Sequence, residues 1–184
     1  MMTSSIIYTH ISTIRLMGTA ATVIIAITVV CILLLIAGII LTFMSSRLAC
    51  VTTYLGLLGI GLTVVNISAT PLVFWGISTG IVICLEYMLP KKITSSRLGI
   101  GYIAGAALAG TFVGLAMSHE WMIIGAVAGA TLGGIAYSRT PAGRIMEFPS
   151  SKFLNYLCAK GLPAVVTMCM VGTSVLWLAA ILNQ

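Results

Sequence analysis

Aspartate is absent from this chain, histidine occurs only at His10 and His119, and charged residues make up 7% of the 184 positions. Soluble domains carry about a quarter charged residues, so the chain has too few to coat a soluble globule. The usual catalytic signatures are missing as well. There is no His pair at ligand spacing, no Gly-x-Ser-x-Gly elbow and no Gly-x-x-x-x-Gly-Lys-Ser/Thr phosphate loop. Gly99 and Gly101 form a Gly-x-Gly, but it opens an apolar helix with no soluble strand before it, which does not suit a dinucleotide site. Cys31, Cys50, Cys84, Cys158 and Cys169 include no Cys-x-x-Cys pair, so neither a metal site nor a disulfide framework is signalled. They read as small apolar residues in helices. The expectation is a chain that is not an enzyme and takes no cofactor or metal.

The net charge of +6 does not point to nucleic acid. The Lys and Arg residues fall in the breaks between apolar stretches instead of forming a solvated face with interleaved aromatics. No Pro/Ser-rich linker or charged block is long enough to separate two folded domains, so one compact unit is expected.

What the chain has in abundance is hydrocarbon, at 60% hydrophobic residues. A helix needs roughly 20 mostly apolar residues to cross a core of about 30 Å, and several such runs occur. The spacing predicts an all-α, polytopic transmembrane bundle of about six spans, at residues 18–44, 48–65, 71–89, 98–117, 121–137 and 161–182. The first run is longer than a signal-peptide core and lacks a small-x-small cleavage site after it, so it reads as a retained span. Before it, Ile7, Ile11 and Ile14 recur at helical spacing, which suits a tail lying in the interface. Asn66, Ser68 and Pro71 divide the long run from Leu48 to Leu89 into two spans. Residues 138–160, with four cations and two prolines, read as a basic surface loop plus a short in-plane helix.

Only Ser118, His119 and Glu120 separate spans four and five, which forces an antiparallel hairpin with Trp121 and Tyr137 at headgroup level. The expected centre of the bundle is this hairpin. Counting Lys and Arg on alternate sides puts Arg47, Lys91, Lys92, Arg97, Arg139, Arg144, Lys152 and Lys160 on one side and Arg15 on the other. The positive-inside rule then predicts a bacterial inner (plasma) membrane protein with both termini outside and its basic loops against anionic lipid headgroups.

Glycine spacing is the most specific motif. Gly101, Gly105 and Ala109 recur every four residues, as do Ala106, Gly110 and Gly114, and Gly125, Gly129 and Gly133 form a third row. Residues four apart share a helix face, and such grooves allow the close van der Waals contact that drives helix association in lipid. The rows either pack spans four and five within the chain or face a second copy or another membrane protein. The stretch 104–110 also matches 128–134 in local pattern, which between antiparallel spans resembles an inverted pair of the kind found in transporters. Ionisable and polar residues at membrane depth are functional candidates by default, which singles out Asn66 and Glu86. Pairing of Glu86 with Lys91 or Lys92 is the plainer reading. Glu86 facing the bundle interior would favour transport.

The 56 residues from Leu85 to Thr140 combine a Leu-Glu-Tyr end of span, a basic break and two Gly-xxx-Gly helices joined by a tight turn. This stretch resembles the bacterial membrane proteins catalogued as domain of unknown function 456. The chain departs from that family in having Pro71 alone in its early hairpin, and Gly134 where an acid tends to follow the second glycine row. The resemblance implies a small polytopic inner-membrane protein without an assigned reaction, and it carries over no functional residue. The functional expectation is a non-enzymatic membrane component packing or oligomerising through glycine rows. The alternative is a small-solute transporter or channel.

Overall fold

The computed structural model describes residues 2–44, 48–63, 69–88, 99–144, 148 and 150–182, without the side chains of 2–21, 63 and 181–182. Arg47, Asn66, Ser68, Lys91, Lys92 and Arg97, all named above, lie outside the described residues. Six helices make up the described fold: α1 (Met2–Phe43), α2 (Ala49–Thr63), α3 (Ala69–Met88), α4 (Ile100–Leu115), α5 (His119–Ser138) and α6 (Ser151–Leu182). No strand occurs among the described residues, and the architecture is an all-α bundle.

Four of these helices are long and apolar enough to cross a membrane: α1 over Thr22–Phe43, α3, α5, and α6 over Ser151–Ala180. The 16 residues of α4 reach only about 24 Å at 1.5 Å per residue, short of a ~30 Å core. The expected span 98–117 is trimmed at both ends by backbone geometry. Gly99 adopts φ 76°, a left-handed conformation that costs other residues strain, and a Cβ there would collide with the Tyr156 hydroxyl and the Tyr137 ring. At the far end, the N–H groups of Met117 and Ser118 both donate to the Gly114 carbonyl, closing a turn.

Two further expectations are corrected. α1 runs from Met2 to Phe43 without a break, so the tail and the first span are one helix. The segment holds no proline, and Gly18 costs only about 1 kcal/mol relative to alanine in a helix interior. α6 begins at Ser151, so residues 151–160 are its first turns and not a separate in-plane helix. The reason is a single stripe: Tyr156, Lys160, Ala164 and Met168 recur every four residues, and all are buried. Pro163 removes one N–H from this helix without ending it, which helices in lipid tolerate when neighbouring groups satisfy the freed backbone.

The bundle is centred on α6, not on the α4–α5 hairpin. Every residue from Thr167 to Ser174 is buried, so all sides of α6 are covered there, and it packs against each of the other five helices. α1 lies at the outside, with Val23, Ile25, Val29, Val30 and Leu33 exposed. Val73, Phe74, Ile77 and Ile81 of α3 are also exposed. Large apolar side chains displayed on several helices suit hydrocarbon and not water.

Candidate functional site: a charged pair among the helix ends

The glycine rows sort by the face they occupy. A Cβ on Gly110 would run into the Gly125 carbonyl, and one on Gly125 into the Gly110 carbonyl. Gly129 faces the Ala106 carbonyl, Gly133 the Tyr102 carbonyl and Gly114 the Trp121 carbonyl in the same manner. These five glycines bring the two backbones of the hairpin together. Gly101 and Gly105 meet nothing within 4 Å, so among the described residues neither serves a helix contact. The α1–α2 pair relies on glycines that the row pattern overlooks: Gly38 lies against Thr53, and Gly56 and Gly59 against Cys31.

Tyr137, expected at headgroup level, is turned into the bundle. It is buried, with its ring centroid 5.7 Å from Tyr156 in a stacked arrangement and 5.9 Å from Tyr102. Trp121, at the other end of the hairpin, is exposed. Ser118 caps α5 by accepting from the Trp121 N–H at 3.4 Å, and His119 and Glu120 lie exposed in the first turn.

Five helices meet around one small cavity. It is lined by Thr42 near the end of α1, Ala49 at the start of α2, Glu86 in the last turn of α3, Ile100 at the start of α4, and Ala159, Lys160 and Pro163 of α6. Its volume of about 20 Å³ accommodates roughly one water molecule. Lys160 is only 2% exposed. The Glu86 carboxylate acts electrostatically on this ammonium from across the cavity. The sequence placed Lys160 in a surface loop; the pairing it suggested for Glu86, with Lys91 or Lys92, falls outside the described residues. In the fold the acid and the buried cation come from α3 and α6, which are distant in sequence.

The backbone around the pair is unusual in the same place. Pro163 lacks the N–H that would bond the Ala159 carbonyl, and both residues line the cavity. One helix away, the Cys50 thiol sits 3.5 Å from the Pro163 carbonyl and 3.3 Å from the Thr167 hydroxyl, tying α2 to α6. Tyr54 adds a link from α2 to α3 by donating to the Leu72 carbonyl at 3.2 Å.

Glu86 and the Asn66 region are not neighbours along the chain. α3 starts at Ala69, and Glu86 comes 17 residues later, about 26 Å along the helix. Glu86 thus belongs to the end of the bundle where the chain enters α4 and α6. Comparison with other proteins does not place the chain. It matches no protein-family model, and no curated protein or solved structure is significantly similar to it.

Lys160 is the residue that sequence reasoning misplaced. Its signal was its register, since it falls on the apolar stripe of Tyr156, Ala164 and Met168. Among the described residues no group of three or more His, Cys, Asp or Glu side chains is arranged to hold a metal.

Proposed function

We propose that this chain is a non-enzymatic, multi-pass component of a bacterial inner (plasma) membrane. In this reading it is a packed helical platform with its basic end toward the cytoplasm and both termini on the opposite side. The observation that carries the reading is where the polar atoms of the core are spent. Thr42, Thr53, Thr79, Thr111, Thr173 and Ser174 are buried, and each donates to the carbonyl four residues back in its own helix, at 2.8 to 2.9 Å. Hydroxyls closed on their own helix present little to a reacting molecule.

A second reading, a small-solute transporter or channel, is favoured by one observation. Glu86 and Lys160 share a cavity inside the bundle, and ionisable groups at membrane depth often mark a solute or proton path. Reconstitution into proteoliposomes separates the two. The platform reading expects no flux of ions or common metabolites, and expects cross-linking in native membranes to capture a second copy or another membrane protein. Flux that Glu86→Gln abolishes would overturn it in favour of transport.

A further inference from the structure

A groove runs between α5 and α6 on the outer surface of the bundle. It consists of two adjoining hollows of about 450 and 160 Å³, which share Thr131 and Leu157. Small residues on both helices open it: Ala130 and Thr131 on α5, Cys158 and Gly161 on α6. The outer hollow begins at Ser150 and Ser151, and the inner one ends at Val165. Those 14 steps from Ser151 to Val165 correspond to about 21 Å along α6. That reaches past the middle of a ~30 Å hydrocarbon core, the depth that one leaflet's acyl chain fills.

The lining is mostly apolar: Ser150 and Ser151 contribute hydroxyls at the outer end, and the Thr131 hydroxyl at the junction donates to the Ala128 carbonyl of its own helix. Phe148 forms a wall there, edge-on to Phe153 at 5.2 Å. Three cations do not line the hollows but are exposed on the adjoining chain: Arg139 and Arg144 just after α5, and Lys152 in the first turn of α6. An apolar slot one leaflet deep, with hydroxyls at its mouth and cations on the adjoining ends of α5 and α6, matches a molecule with an acyl tail and an anionic head. A second copy of the chain fits less well, because it would bring the same three cations against these, and like charges set together across an interface repel.

We infer that the α5–α6 groove binds one anionic phospholipid, an acyl chain lying along Thr131, Leu157 and Val165 and the phosphate at Arg139, Arg144 and Lys152. The inference rests on the membrane reading proposed above. That reading fails in a separate way, when the chain stays dispersed without detergent.

The test uses the full chain in mild detergent with phosphatidylglycerol, phosphatidylcholine or a free fatty acid added at equal amounts. Native mass spectrometry should show one phosphatidylglycerol retained per chain, with phosphatidylcholine and fatty acid held more weakly. Filling the slot with Thr131→Trp, or independently with Cys158→Phe, should reduce retention at least tenfold in protein that remains helical and monodisperse. Replacing Arg144 and Lys152 with Gln should lower the preference for phosphatidylglycerol by roughly fivefold per cation. In the unaltered chain, phosphatidylglycerol bearing a photoreactive acyl tail should cross-link to peptides containing residues 127–131 and 154–165. Cross-links elsewhere, equal retention of phosphatidylcholine, or undiminished retention in both filled variants would overturn the inference. So would a dimer in solution that Thr131→Trp dissolves, which would assign the groove to a second copy.

Discussion

Gly110 and Gly125 face each other across the α4–α5 hairpin so closely that a methyl group on either would strike the other's carbonyl oxygen. Neither collision involves a flexible side chain that could move aside, so relief requires the two helices to separate. Gly125→Leu should therefore destabilise the bundle by about 1–3 kcal/mol or more, the range for forced overpacking. Gly105→Ala should do the opposite, because a Cβ there meets nothing within 4 Å and alanine exceeds glycine in helix propensity by up to about 1 kcal/mol. Thermal unfolding in detergent compares the two. Equal effects at both positions would contradict the assignment of faces.

Glu86 and Lys160 form the second testable relationship. A double-mutant cycle with Glu86→Gln and Lys160→Met should show a coupling of about 0.5–3 kcal/mol, as found for residues coupled through a shared cavity. The acid variant is expected to be the more harmful single change, since it withdraws a carboxylate from a cation that is 2% exposed. Lys160→Met places an apolar side chain of similar length in the same buried position. Additive effects would show that the two groups do not act on each other.

Much of the architecture was readable in the residues. The apolar runs locate the helices, and the tight Ser118–Glu120 turn specifies the hairpin. Which glycine row faces α5 was not readable. Gly101 and Ala106 are five positions apart, which at 3.6 residues per turn separates their rows by about 140° around the helix. Only one row can meet a given neighbour, and a helix apolar on every side offers no polar face to say which. The site was hidden for a related reason. Lys152 and Lys160 give the start of α6 the composition of a surface loop, and the burial of Lys160 depends on Glu86 and helix ends that only the tertiary fold assembles. Tyr137 likewise reads as a headgroup anchor until Tyr156 is seen to stack on it.

The proposed orientation has its own test in single cysteines placed on a background without the native five. Cysteines at Arg144 and Lys152 should react with a membrane-impermeant maleimide from one face of sealed vesicles, and one at Glu120 from the other. A cysteine at Lys160 should react only after the protein is denatured, given its burial. Labelling of positions 120 and 152 from the same face would contradict the alternation of helices through the membrane.

The account as a whole depends on hydrocarbon around the exposed apolar residues of α1 and α3, among them Val29, Leu33, Phe74 and Ile77. The most direct measurement is the partitioning of the expressed chain after membranes are washed with high salt and alkaline carbonate. The protein should stay in the membrane pellet and enter solution as a monodisperse species only with detergent. Release by carbonate alone, followed by a single sharp species in plain buffer, would contradict the account.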